Sequence, residues 1–124
     1  MNASRARVLI VDDEPKVREV LRDILMDRYE VDFADTAVGA LAAVRKKRPD
    51  AVLLDLNMPG AVGGDQIVAA LATDFPVVVV TAVIDLDTAK RTLNAGAFDF
   101  IAKPFTIDRV LEVVEAAIAF GRRS

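Results

Sequence analysis

Three carboxylates, a hydroxyl and an ammonium lie far apart in this chain, at Asp12, Asp13, Asp55, Thr81 and Lys103, and a fold that gathers them would create one chemistry. Two carboxylates about 4 Å apart repel by about 4 kcal/mol at an effective dielectric of about 20, so a cluster of three requires a cation. The sequence has neither histidine nor cysteine, which removes the common zinc ligands, the imidazole base and a thiolate nucleophile. An oxygen-only site selects Mg²⁺, with Mn²⁺ as the alternative, over zinc and copper. Mg²⁺ keeps several waters and takes a phosphate oxygen as a further ligand, so such a site suits phosphoryl chemistry. An aspartate carboxylate can itself attack phosphorus to give an acyl phosphate. Lys103 can neutralise one phosphoryl oxygen and the Thr81 hydroxyl can hydrogen-bond another. Singly, these residues are more often turn formers, caps or solvated surface groups; the chemistry requires that one rim hold them all.

The intervening elements predict such a rim. Short β-branched runs at Arg7 to Val11, Tyr29 to Phe33, Ala51 to Leu54, Val77 to Val80 and Phe98 to Ala102 have the length and composition of strands. Three of them are apolar almost throughout, as strands covered on both faces must be. Between them, Val17, Val20, Leu21, Ile24 and Leu25 keep the spacing of one buried helical face, and Ile107, Val110, Leu111, Val114, Ala117 and Ile118 repeat it. Pro15 suits a first helical turn after Asp13 or Glu14, Asp35 or Thr36 can cap the second helix, and Thr106 can cap the last. Asn94-Ala95-Gly96 reads as a helix stop. The third helix has only the short pattern Asp65 to Ala72 behind Gly63 and Gly64, so an irregular start is expected. Five such βα units with right-handed crossovers predict a doubly wound α/β fold, its five-stranded parallel sheet covered by helices on both faces. In these sheets functional residues sit beyond the carboxyl ends of the strands. Asp12 and Asp13 follow the first strand, Asp55 the third, Thr81 the fourth and Lys103 the fifth.

Composition narrows the function classes. At 124 residues and 53% hydrophobic content the chain has material for one core, which excludes disorder. Its 19 acidic and 16 basic residues give a net charge of −3, so no direct binding to nucleic acid or an anionic membrane is expected. No signal-peptide core follows Met1, and the apolar run around Pro76 to Val80 is far shorter than the roughly 20 residues of a membrane span, so a cytoplasmic location is expected.

Four signatures occur in order: Val8-Leu9-Ile10-Val11-Asp12-Asp13-Glu14-Pro15, Leu53-Leu54-Asp55-Leu56-Asn57-Met58-Pro59-Gly60, Val79-Val80-Thr81-Ala82 and Phe100-Ile101-Ala102-Lys103-Pro104-Phe105. On these the chain resembles the receiver domain of two-component response regulators, from Val8 to Phe120. The resemblance implies a flavodoxin-like fold with strand order 2-1-3-4-5 and a single domain over 1–124, with an ordered core of about 7–120 and 121–124 as a tail or the start of a linker. It implies that Asp55 is the phosphoacceptor, that Asp12, Asp13, Asp55 and the backbone carbonyl of Asn57 hold Mg²⁺, and that Thr81 and Lys103 hold the phosphoryl group. Thr81 and Phe100 would be the switch pair, and the Lys103-Pro104 bond would be cis. The implied partners are a sensor histidine kinase or phosphotransfer protein and a downstream protein or effector domain, with a phosphorylation-dependent dimer as a further expectation. The chain would signal without being an enzyme beyond its own phosphorylation and dephosphorylation. Val62 and Gly64 depart from the acidic residue and aliphatic residue usual in that loop. Two other readings compete. A haloacid dehalogenase phosphatase also uses an aspartate nucleophile with Mg²⁺ but needs a second aspartate two residues on, where this chain has Asn57. A pseudo-receiver would never take phosphate.

Overall fold

The structure, a computed structural model, describes residues 5–56, 64–82 and 86–123. Strands and helices alternate through these residues as β1 (Arg7–Val11), α1 (Pro15–Leu25), β2 (Glu30–Ala34), α2 (Ala37–Lys46), β3 (Ala51–Asp55), α3 (Gly64–Ala72), β4 (Val77–Thr81), α4 (Leu86–Asn94), β5 (Asp99–Ala102) and α5 (Ile107–Arg123). The strands pair in parallel in the order β2-β1-β3-β4-β5. β3 and β4 are buried at every residue, which is why Val52, Leu53 and Leu54 and the run Val77 to Val80 carry no polar alternation.

Alternating strand side chains feed two cores. Val8, Ile10, Leu53, Val78, Val80 and Ile101 pack with Leu21 and Leu25 of α1 and Val110, Val114 and Ala117 of α5. Leu9, Val11, Val52, Leu54, Val77 and Val79 pack on the opposite face with Ala40 of α2 and Ile67, Val68 and Leu71 of α3. Full burial of each such Leu or Val side chain contributes about 1.5–3 kcal/mol, so the sheet is a rigid base for whatever its rim carries.

The boundaries follow local chemistry. Pro15 opens α1 after Glu14. The Thr36 hydroxyl accepts from Gly39 N–H at 2.9 Å and caps α2, and Thr106 accepts from Arg109 N–H at 3.1 Å at the start of α5. α4 stops at Asn94, and Gly96 takes the left-handed φ of 110° that a side chain resists. The Lys103-Pro104 peptide is cis.

Several sequence expectations need correction. The second strand is Glu30–Ala34 rather than Tyr29 to Phe33, because Tyr29 N–H bonds back to Leu25 O at 2.9 Å in the turn that follows α1. The fifth begins at Asp99 rather than Phe98. Val20 is 48% exposed and Ile107 61% exposed, although both fit the helical spacing. At about 100° per residue, the buried face of α1 centres on Leu21 and Leu25, and that of α5 on Val110, Val114 and Ala117, which brings in Val113 and turns Ile107 out. α5 also runs on to Arg123, through the residues expected to form a tail.

Candidate functional site

The carboxyl ends of β1, β3, β4 and β5 come together because parallel strands share a direction and β1, β3, β4 and β5 are neighbours in the sheet. Asp12 follows β1, and its N–H donates to Ala34 O at 3.0 Å, the last backbone bond between β1 and the end of β2. Asp55 is the last residue of β3 and Thr81 the last of β4. Lys103 follows β5, its N–H donating to Thr81 O at 3.0 Å.

Carboxylate oxygens of Asp12, Asp13 and Asp55 all lie within 4.8 Å of one another. Asp12 is 2% exposed and Asp55 5% exposed, whereas Asp13 is open to solvent. The Lys103 Nζ stands between the two buried carboxylates, 3.3 Å from Asp12 Oδ2 and 3.4 Å from Asp55 Oδ2. Asp12 Oδ1 accepts from Glu14 N–H at 2.9 Å. Burial pushes the Asp12 carboxyl above the ordinary carboxylate range, and the Asp55 charge adds to that push, against the Glu14 N–H and Lys103. Burial acts to lower the Lys103 ammonium, but Asp55 and Asp12 outweigh it and hold it above its ordinary value.

With its three carboxylates ionised, this cluster carries two more negative charges than its lysine offsets. The donors are hard oxygens, two from buried carboxylates and one from an exposed carboxylate. That donor set fits Mg²⁺ and lacks the nitrogen and sulfur that would favour zinc.

The structure thus brings together Asp12, Asp13, Asp55 and Lys103, with Thr81 on the same rim. Thr81 is 2% exposed. Phe100 is half-buried and packs on the α2 and α3 side of the sheet. Because Val79 pairs with Phe100 and Thr81 with Ala102, the Thr81 and Phe100 side chains leave the same face of adjacent strands. Asn57 lies outside the described residues, as do Met58, Pro59, Gly60 and Val62. Sequence reasoning missed two contributors. Arg18 Nη1 donates to Asp12 O at 2.7 Å, and Arg109 Nη2 donates to Phe100 O at 3.1 Å. Neither has a sequence signal, since a lone arginine on a helix reads as a solvated charge.

Residues 8–115 match the family model described as the response regulator receiver domain. The transcriptional regulatory protein KdpE of Mycobacterium tuberculosis is 39% identical over 113 residues, covering 90% of this chain and 50% of that protein. The response regulator protein PilR of Pseudomonas aeruginosa is 38% identical over 119 residues, covering 93% of this chain and 26% of that one. The chain spans about half the length of the first of these relatives and less of the second. Among solved structures, a CheY-like response regulator receiver domain protein from Methanospirillum hungatei superposes with a TM-score of 0.87 at 28% identity, over 97% of this chain and 98% of that one. The receiver domain of NtrX from Brucella abortus gives 0.83 at 34% identity, over 90% and 98% of the two chains.

Proposed function

The chain belongs to the response regulator receiver domain family of two-component systems, and from that premise we propose that it is a phosphorylation-dependent signalling switch with Asp55 as its acceptor. The observation that carries this reading is the convergence of the Asp12, Asp13 and Asp55 oxygens within 4.8 Å, with Lys103 reaching both buried carboxylates. An Asp55 carboxylate oxygen attacks the phosphorus of a histidine kinase phosphohistidine, a phosphotransfer protein or a small donor such as acetyl phosphate. The P–N or P–O bond to the donor breaks as the O–P bond forms, and the leaving imidazole or acetate keeps the electron pair. Asp12, Asp13 and Asp55, with the Asn57 backbone carbonyl that the family resemblance adds, would hold Mg²⁺, which when bound would supply charge neutralisation for the phosphoryl group. Lys103 gives a second positive charge and Thr81 a hydrogen bond to that group. Hydrolysis of the acyl phosphate resets the switch.

Output runs through Thr81 and Phe100. A charge-assisted bond draws Thr81 to the phosphoryl group, and the Phe100 ring fills the space released on the shared face of β4 and β5. Both changes bias one two-state equilibrium toward a surface that a downstream protein, an effector domain or a second copy reads. The proposed signalling is cytoplasmic, as transfer from a histidine kinase implies; none of the described helices is long and apolar enough to cross a membrane.

Intact mass spectrometry tests the reading. With Mg²⁺ and acetyl phosphate the protein should gain one phosphoryl group, and Asp55→Asn should gain none. An unmodified wild-type mass would favour a pseudo-receiver. Repeated turnover of a phosphomonoester without accumulation of phosphoprotein would favour a phosphatase.

A further inference from the structure

We propose that Arg18 is a positioning residue for the metal-binding loop, fixing the backbone of Asp12 so that its carboxylate stays aimed into the site; this rests on the Mg²⁺-dependent reading above. In a parallel ladder Asp12 would donate to Ala34 O and accept from the N–H of Thr36. The first bond is made, at 3.0 Å. The second has no place, because the chain turns at Asp35 and Thr36 becomes the cap of α2. Arg18, on the first turns of α1, folds its side chain back and supplies the substitute donor, with Nη1 at 2.7 Å from Asp12 O. Its own N–H bonds Glu14 O at 3.2 Å, so the same residue begins the helix and ties the loop that precedes it.

Asp12 is then held at each polar atom: N–H by Ala34, O by Arg18, Oδ1 by Glu14 N–H and Oδ2 by Lys103. Three of these partners come from the sheet or from the loop itself, and Arg18 alone ties the loop to the body of α1. Among the described residues no carboxylate forms an ion pair with Arg18, and its side chain is half-buried, as suits a structural tether more than a solvated charge. Groups that hold a ligand's orientation without touching the metal affect affinity by about 10- to 100-fold.

The sign of the effect separates positioning from charge. By Coulomb's law alone, removing a cation near the cluster would tighten Mg²⁺ binding; loss of a tether must weaken it. Isothermal titration of Mg²⁺ into EDTA-stripped protein should give a dissociation constant about tenfold higher for Arg18→Met than for wild type, with Arg18→Lys, which keeps a donor, in between. In the same metal-free samples the Glu14 amide should exchange with solvent several-fold faster in Arg18→Met. Equal or tighter Mg²⁺ binding by Arg18→Met, with wild type binding normally, overturns the assignment of Arg18 and leaves the proposed function standing. A wild-type protein that binds no Mg²⁺ at millimolar concentration overturns both. If the methionine variant does not fold, ¹⁵N spectra of wild type decide: a guanidinium at Arg18 with hindered rotation is expected, and one that averages freely refutes the tether.

Discussion

Replacing Asp12 by asparagine should make the metal-free protein more stable, although it removes a partner of a buried ion pair. At 3.3 Å and an effective dielectric of about 20, the attraction of Asp12 to Lys103 is about 5 kcal/mol. Against it stands repulsion from Asp55 at no more than 4.8 Å, about 3.5 kcal/mol or more on the same scale, with a smaller, solvent-screened term from Asp13. Taking a carboxylate that is 2% exposed out of water costs several kcal/mol more. The charge therefore loses on balance, as the upward displacement of the Asp12 pKa by burial and by Asp55 also indicates. Asparagine keeps one oxygen for Glu14 N–H while removing the charge, and Lys103, which loses the Asp12 Oδ2 acceptor, keeps Asp55. A gain of about 1–2 kcal/mol is expected, or roughly 4–8 °C in Tm for a domain of this size. The folded state holds the Asp12 proton more tightly than the unfolded chain, so wild-type stability falls as pH rises from the ordinary carboxylate value through the raised folded one. The advantage of Asp12→Asn is thus complete above that window and fades as pH falls below it. Saturating Mg²⁺ should reverse the order, since wild type gains about 2.7 kcal/mol at 100 times its dissociation constant and the variant gains little. Thermal or urea unfolding in EDTA at pH 7.5, at pH 4 and with Mg²⁺ measures all three. An Asp12→Asn protein less stable than wild type in EDTA at pH 7.5 would refute the reasoning that this site is over-charged without its cation.

Three further outcomes follow from the same geometry. Lys103→Met removes the ammonium 3.3 and 3.4 Å from the two buried carboxylates, and the rate of labelling by acetyl phosphate should fall about 100-fold; an unchanged rate would exclude Lys103 from the phosphoryl site. Beryllofluoride with Mg²⁺ should shift the Phe100 ring resonances in wild type but much less in Thr81→Ala, and a ring that stays still while Asp55 is occupied would break the proposed coupling. Gly96→Ala forces a Cβ onto a φ of 110° and to 2.9 Å from Ala72 Cβ, so unfolding in urea should show a loss of about 2 kcal/mol or more, whereas a neutral effect would mean that this turn relaxes freely.

What the sequence revealed depended on how completely a local pattern determines its environment. A strand covered on both faces has one composition available to it, and Val77 to Val80 announced β4 with only Thr81 added at its end. Capping is a contact within a few residues, so Thr106, and Thr36 as one of two candidates with Asp35, could be named before any tertiary contact was known. The edge strand β2 is half-exposed, and there Tyr29 has the composition of a strand residue while its N–H closes α1. Val20 and Ile107 illustrate a different gap: periodicity identifies a face but not how far the neighbouring helix covers it, and a groove between α1 and α5, floored by Ile24 and Leu111, leaves both exposed. That Asp12, Asp13, Asp55, Thr81 and Lys103 share one rim was legible because strand ends converge in a parallel sheet. Arg18 was not, because its role depends on a single backbone carbonyl left without a ladder partner, which no residue pattern encodes.

The central claim is that Asp55 forms an acyl phosphate in a cation-dependent site. Protein treated with acetyl phosphate and Mg²⁺ can be reduced with borohydride, which converts an aspartyl phosphate to homoserine, and then digested and sequenced by mass spectrometry. Homoserine at position 55, absent when EDTA replaces Mg²⁺, is the predicted result. Homoserine at Asp12, Asp13 or any other carboxylate instead, or equal conversion at position 55 with and without the cation, would contradict it.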